Sequence, residues 1–569
     1  MVTIVQRPYD PSAADLLAAS GLPGPLARVL AARGIHAPAQ LDASLAGLIP
    51  PERLTNSVKM AQLLADAIAQ GKRLLVIGDY DADGATATAV AVRGLRGMGA
   101  TVDFLVPNRF EYGYGLTPEI VALAATRQPD IIITVDNGIA SVDGVRAANT
   151  LGIPVLVTDH HLPGDETPEA ACILNPNQRG CDFPSKHLAG VGVMFYALLA
   201  LRAELRIRGA FATRQEPNLT ELLDLVALGT VADLVRLDDN NRILVEQGLR
   251  RIRAGKACPA IPALMRLAGR DPSQAGAQDL GFSVGPRLNA AGRLDDMSLG
   301  IECLLADDPA KAQQMAQQLH ELNLERRNIE ADMHDAALAS LEGIEVADRY
   351  SLSLYDADWH QGVIGILASR IKERYHRPVI AFADAGDGIL KGSGRSISGL
   401  HLRDALDLVS KRDPLLLLKF GGHAMAAGLT IRACDLDAFV AAFEGVAREL
   451  LRPADLESLI ETDGALDGQD IDWSTACAIE RQVWGQGFPQ PLFSDRFRVL
   501  DQRVVGERHL KLVLEKQGRR FDAIFFRQQE YLPAEVEAVY QLQTNQYNGA
   551  QSVQLSLRHW QPVTSTQPG

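Results

Sequence analysis

A strand that runs into acid limits what this chain can fold into more than any other stretch of it. Leu74-Leu75-Val76-Ile77 is an apolar run that passes through Gly78 into Asp79-Tyr80-Asp81-Ala82-Asp83-Gly84. A short apolar run bounded by turn residues reads as a buried strand of a parallel sheet, so the acids stand at its carboxyl end. In an extended chain alternate residues point the same way, which sends Asp79, Asp81 and Asp83 towards one point. Ala85-Thr86-Ala87-Thr88-Ala89-Val90 then reads as a helix. Carboxylates held that close raise one another's pKa, and a hard divalent cation offsets them.

Two later stretches repeat the design. Ile131-Ile132-Ile133-Thr134-Val135 runs into Asp136-Asn137-Gly138, and Pro154-Val155-Leu156-Val157-Thr158 runs into Asp159-His160-His161. Ligands of an open parallel sheet bind at the carboxyl ends of its strands, so all three acidic ends converge on one crevice. Imidazole nitrogen beside carboxylate oxygen suits Mn²⁺ as well as Mg²⁺. Taken singly, Asp-x-Asp-x-Asp is more often a solvated or calcium-binding loop, Asp-Asn-Gly a tight turn and His-His nothing. Each at the end of an apolar strand, they are read together.

In order, spacing and context these three stretches resemble the first three motifs of the DHH phosphoesterase superfamily. Asp233, near the end of the apolar run Asp224-Leu225-Val226-Ala227-Leu228-Gly229-Thr230-Val231-Ala232-Asp233, is similar to the acid of its fourth motif. From Gly71 to about Arg236 apolar strands alternate with helix-like segments, the pattern of a doubly wound α/β domain.

Composition bounds the rest. At about 150 residues per domain, the 569-residue chain holds three or four domains. No apolar run approaches the ~18 residues of a membrane span, and the start lacks the pattern of a signal peptide, so a cytoplasmic protein is expected. The six cysteines form no Cys-x-x-Cys pair and read as free thiols. A net charge of −14 opposes a large nonspecific nucleic-acid surface, so such binding must use local basic patches.

Residues 1–70 read as a helical cap, with a break at Pro50-Pro51. Arg109 and Tyr114 lie in a Gly/Tyr-rich loop that could hold a phosphate and stack a base. Residues 241–345 open with an excess of Lys and Arg, where Gly285-Pro286-Arg287-Leu288-Asn289-Ala290-Ala291-Gly292-Arg293 presents two arginines from a glycine-broken loop. They close on a stretch free of Pro and Gly, Ala310 to Leu341, with Met315, Leu319, Leu322, Ile329 and Met333 at helical spacing. Residues 346–452 form a second α/β unit whose glycine loops carry His360, Ser393, Arg395, Ser396, Gly422 and His423, suited to cradling phosphate. They resemble the DHH-associated domain. No Gly-x-x-x-x-Gly-Lys-Ser/Thr or Gly-x-Gly-x-x-Gly occurs, so triphosphatase and dinucleotide readings lack support. Residues 453–569 contain strand-like pieces with Lys and Arg interleaved with Phe521, Phe525 and Phe526, as in a single-strand-binding OB-fold barrel, though phenylalanines of this kind can equally be core.

The whole order resembles one branch of the superfamily, the bacterial single-strand-specific 5′→3′ exodeoxyribonucleases. The resemblance implies two-metal phosphodiester hydrolysis with two Mn²⁺ or Mg²⁺ ions. Asp81 would hold the first ion, Asp83, His160 and Asp233 the second, and Asp136 would bridge them. Asp79 would be a ligand or an outer partner, Asp159 would orient a histidine, and His161 would sit by the scissile phosphate. Arg109, Tyr114, Arg287, Asn289, Arg293, His360, Ser393, Arg395, Ser396, Gly422 and His423 would bind substrate. It further implies single-stranded DNA as substrate, single-strand-binding protein and recombination helicases as partners, a role in repair and recombination, and no need for more than a monomer. Two other readings stay open: a phosphoesterase of short oligonucleotides or cyclic dinucleotides, and a non-catalytic scaffold that has lost its ligands.

Overall fold

The structure is a computed structural model, and it describes residues 2–108, 112, 115–341, 346–506, 508–547 and 550–563. Arg109 and Tyr114 lie outside the described residues. The chain divides into two compact units, one of Gln6–His320 with the residues from Glu461 onward, the other of Glu321–Ile460 with the first five residues.

The larger unit is built on a five-stranded parallel sheet in the order Thr101–Leu105, Arg73–Ile77, Ile131–Val135, Val155–Thr158, Cys172–Leu174. Leu75, Ile77, Ile132, Val155 and Val157 are buried in one core with Ile120, Val121, Val145 and Ala148 of the flanking helices. The second strand in the chain lies on one side of Arg73–Ile77 and the third on the other. That reversal of direction opens a crevice at the carboxyl ends of Arg73–Ile77 and Ile131–Val135. The helix Ala82–Gly97 follows the first of these strands, and Gly190–Ile207 and Leu223–Ala232 pack against it.

The same unit holds a closed barrel of five strands in the order Phe493–Val505, His509–Lys516, Arg519–Phe526, Ala550–Pro562, Glu535–Tyr547. Sequence reading missed Glu535–Tyr547, where Gln541, Gln543 and Asn545 stand between the apolar residues and dilute the strand signal. Phe521 is core, whereas Phe526 is exposed. Lys516 is spent on Asp495 and on the Leu466 carbonyl, leaving Arg503, Arg508, Arg520 and Arg527 on the surface.

A buried ion pair joins the barrel segment to the N-terminal helices. Arg33 Nη2 donates to Asp463 Oδ2 at 2.9 Å, and both side chains are 1% exposed. Leaving one partner of such a pair buried alone costs about 3–5 kcal/mol. Asp463 keeps Arg7 Nη1 at 3.7 Å and the Leu492 N–H, so Arg33→Ala is expected to lower unfolding stability by up to that much, measured as a shifted denaturant midpoint at unchanged slope.

The smaller unit contains a mixed sheet in the order Lys419–Gly422, Ala426–Arg432, Ile389–Arg395, Val379–Asp384, Leu352–Tyr355. Two expectations need correction. Residues 1–70 are not all helical, because the β-branched run in Val2–Gln6 pairs as a strand with Ser458–Thr462. The Gly285–Leu294 stretch is an α-helix entered from a π-helical turn, Leu280–Val284, rather than a glycine-broken loop. Pro286 suits its first turn, and Gly292 serves close packing instead of breaking it. The Pro- and Gly-free stretch is a helix over Pro309–Leu341, as its spacing predicts.

Candidate metal centre

The strand Arg73–Ile77 stops before the acids, and the chain turns into a helix at Ala82. Alternation therefore does not carry all three aspartates to one point. Asp81 is the N-cap, accepting from Asp83 N at 2.9 Å and Gly84 N at 3.0 Å. Asp83 lies two residues on, in the first turn of the helix and fully buried, its carboxylate accepting from Gly190 N at 2.6 Å and Val191 N at 2.9 Å. The positive end of the Gly190–Ile207 helix thus holds Asp83 in place.

Asp136 sits at φ +61°, a left-handed conformation that costs a non-glycine residue energy and recurs at functional sites. Its N–H donates to Thr158 O at 3.0 Å, which ties the second acidic strand end to the third. Asn137 Nδ2 donates to Val135 O at 2.9 Å and Ile77 O at 3.2 Å, closing the first against the second. Asp233 caps the carboxyl end of the helix Leu223–Ala232.

His160 Nε2 lies 3.1 Å from Asp136 Oδ1, 3.5 Å from Asp233 Oδ2 and 3.9 Å from Asp83 Oδ2. Three sets of potential ligand atoms lie within 4.8 Å of one another: Asp79, Asp81 and Asp136; Asp83, His160 and Asp233; and Asp136, His160 and His161. Asp136 and His160 each belong to two of these sets. Carboxylate oxygen, alone or with one or two imidazole nitrogens, is a donor set for a hard or borderline divalent ion.

The electrostatics fit a dication. Burial, then the charge of Asp81, pushes the Asp83 carboxyl up to about 7. Burial and the charges of Asp83 and Asp81 raise Asp136 and Asp233 as well. Asp159 and His161 behave oppositely. Asp159 Oδ1 accepts from His161 Nδ1 at 2.8 Å and His160 N at 2.7 Å, and Oδ2 from Ile139 N at 2.9 Å. Burial acts to raise Asp159, but the hydrogen bond and charge of His161 outweigh it and leave the carboxyl below its ordinary value. The same pair overcomes the burial of His161 and lifts its imidazole to about 9. Of the two histidines, it is therefore His161 whose ring Asp159 holds.

Sequence reading missed two positioning residues. Asn175 Nδ2 donates to His161 O at 2.9 Å, and Asn177 Nδ2 to His160 O at 2.6 Å. The signal was Asn175-Pro176-Asn177 directly after the strand Cys172–Leu174, an Asx-turn sequence.

Asn289 Oδ1 accepts from Ala82 N at 2.8 Å, so this residue buttresses the acidic loop. Arg287 is buried, donating to Ser283 O at 2.5 Å and to His320 Nδ1 at 3.1 Å. Arg293 stands half-buried in the last turn of the same helix. In the smaller unit, Arg395 Nη1 donates to Ser393 Oγ at 3.3 Å and Gly394 O at 2.8 Å. Both side chains lie beside the first turn of the helix Ile364–Tyr375, where a Cβ on Gly365 would meet Ser393 Oγ at 2.9 Å and Arg395 Nη2 at 3.0 Å. Two cationic or hydroxyl donors at a helix N-terminus suit an anion. His360 Nδ1 accepts from Gly362 N at 3.1 Å just ahead of that helix. Ser396 is buried and its hydroxyl donates to Leu400 O at 2.8 Å, a turn-holding contact. His423 is exposed, and Gly422, at φ +144°, lets the hairpin close where a Cβ would strike Ala426 O.

The comparisons with known proteins follow this layout. Residues 73–230 match the DHH family N-terminal domain, 348–449 the DHHA1 domain and 462–559 the RecJ OB domain. A Dickeya dadantii protein named single-stranded-DNA-specific exonuclease RecJ is 52% identical over 95% of this chain and 96% of its own. The Thermus thermophilus RecJ crystal structure in complex with Mn²⁺ is 31% identical, with a TM-score of 0.83 over 98% of this chain and 79% of that one. Its counterpart with Mg²⁺ has a TM-score of 0.77 at 30% identity, over 98% of this chain and 78% of that one. Identity at this level along nearly the full length of both chains means that the chain belongs to the RecJ family of single-stranded-DNA-specific exonucleases.

Proposed function

We propose that this protein degrades single-stranded DNA from the 5′ end, releasing 5′-mononucleotides, with two Mn²⁺ or Mg²⁺ ions held by Asp79, Asp81, Asp83, Asp136, His160 and Asp233. The observation that carries this reading is the overlap of the ligand sets at Asp136 and His160, which suits two ions held close together. When bound, such a pair supplies Lewis-acid stabilisation of the phosphoryl charge and lowers the pKa of water.

The chain's own residues do the rest. Asp159 keeps His161 in its imidazolium form, and the Nε2 proton of that ring is offered to an oxygen of the scissile phosphate. Asn175 and Asn177 hold the backbone that presents both rings. Ser393 and Arg395, beside the helix N-terminus, grip the 5′-terminal phosphate, with His360 and His423 in support. The exposed arginines and Phe526 of the barrel carry the trailing strand. Single-strand-binding protein and recombination helicases are the partners that a cytoplasmic nuclease of repair and recombination would meet.

The test of the reading is a long single strand labelled at one end or the other. Immediate release of a 5′-labelled mononucleotide, with gradual shortening of the 3′-labelled strand, is expected. Hydrolysis of dinucleotides alone would move the protein to the small-substrate branch of the superfamily.

The carboxyl groups also set a pH dependence. Asp83 titrates at about 7 in the fold against 3.8 for the ordinary side chain. Its contribution to the metal-free protein is full below the lower value and lost as pH rises through the higher one. A metal must displace those protons, so its affinity rises over the same interval. Asp159, already below its ordinary value, stays ionised throughout. The rise in melting temperature on adding Mn²⁺ is therefore expected to grow from about pH 5.5 to about pH 7.5, as read by differential scanning fluorimetry. An increment that shrinks over that range would contradict the ligand set.

A further inference from the structure

Asp233 ends one helix, Leu223–Ala232, and the next begins at Asp239. The strap between them is pinned at its far end by a turn from the segment leading into the barrel. Gln486 O accepts from Leu237 N at 2.8 Å. The turn is closed on itself, Gly485 N donating to Phe488 O at 3.0 Å and Phe488 N to Gly485 O at 3.1 Å. Trp484 and Phe488 stack at 5.3 Å, both buried, and Trp484 Nε1 donates to Ile479 O at 2.7 Å. The Arg242 guanidinium, from the helix Asp239–Arg253, lies over Phe488 at 4.4 Å.

The fit against the strap is tight. A Cβ on Gly485 would meet Leu237 Cδ1 at 2.6 Å, and one on Gly487, at φ +71°, would meet Arg236 Cγ at 2.4 Å. Leu237 is 3% exposed. From the other side, Asn241 Nδ2 donates to Arg236 O at 2.9 Å and His187 O at 2.6 Å. Arg236 and Leu237 are thus held from both sides, while Leu234 turns through φ +60° directly after Asp233.

We infer that the Trp484–Phe488 turn is a positioning element for the Asp233 carboxylate, so that the C-terminal segment shapes the metal centre as well as carrying the strand. The inference rests on the metal reading of Asp233. A strap this short transmits a displacement at Leu237 to Asp233, because its ends are fixed by hydrogen bonds and its interior has one left-handed residue to absorb strain.

The test compares the full-length parent with Gly485→Val, which drives a side chain into Leu237, and with the milder Leu237→Ala and Leu237→Met. Mn²⁺ binding is followed by calorimetry, and turnover on a trinucleotide too short to span both the centre and the barrel. Affinity is expected to fall about tenfold or more in Gly485→Val and Leu237→Ala and to be restored in Leu237→Met, with kcat on the trinucleotide falling and KM unchanged. Unchanged affinity and trinucleotide turnover in a folded Leu237→Ala, with loss confined to long strands, overturns the inference. Should Gly485→Val fail to fold, the two Leu237 variants decide it alone. Absence of Mn²⁺ binding in the parent would instead refute the metal reading beneath it.

Discussion

Asp136→Asn is expected to abolish cleavage while leaving the metal-free protein at least as stable as its parent. Asp136 belongs to two of the potential ligand sets, so in the proposed centre losing its charge would weaken the hold on both ions. Losing one group that stabilises transition-state charge costs about 10²–10³-fold, and a ligand shared by two ions is expected at or above the upper end. Stability moves the other way. Asp136 is pushed well above the ordinary carboxylate value by burial and by Asp83, Asp81, Asp233 and Asp79, so removing its charge relieves repulsion. Asparagine is the substitution of choice because it tolerates the left-handed φ of +61° that alanine resists. His160→Ala is expected to lose cleavage to the same extent. Nuclease assays with Mn²⁺, paired with thermal unfolding in chelator, read both effects. Activity within tenfold of the parent in either variant would remove that residue from the centre.

Gly292→Ala carries the second large effect. A Cβ there would lie 1.8 Å from the carbonyl oxygen of Tyr80 and 3.0 Å from its carbon, and backbone cannot swing aside as a side-chain tip can. The helix Gly285–Leu294 would have to back away from the acidic loop, taking Asn289 from the Ala82 N–H that it accepts. Overpacking of this kind costs about 1–3 kcal/mol, and loss of an outer partner lowers metal affinity about 10–100-fold. Thermal unfolding and a Mn²⁺ titration are expected to show both. Gly445→Ala is the contrast: that glycine lies inside the helix Leu436–Leu450 with nothing within 4 Å of a Cβ. It is expected to be neutral, or stabilising by about 0.5–1 kcal/mol.

The acids were legible because they follow apolar runs, strands before Asp79, Asp136 and Asp159 and a helix before Asp233, a pattern carried by neighbours in the chain. Their division was not. Period-two alternation grouped Asp79, Asp81 and Asp83, whereas Asp81 became an N-cap and Asp83 turned inward to the helix Gly190–Ile207, more than a hundred residues away in sequence. Likewise the glycines near Arg287 read as a loop, because nothing local says that Tyr80 O approaches Gly292. Asn289, Asn175 and Asn177 show the same limit: each donates or accepts across the fold, and an asparagine in sequence is equally a turn residue.

By itself the sequence determined the parallel α/β core, the order of the domains and the acids and histidines that gather at the carboxyl ends of its strands, since strand periodicity and acidic strand ends are local patterns. Only the tertiary structure decided which acids stand close enough together to share an ion, which histidine Asp159 holds, and that the barrel segment reaches back to Arg33 and Leu237. Those depend on contacts between residues far apart in the chain, where distance and burial, not residue type, set each group's charge and role.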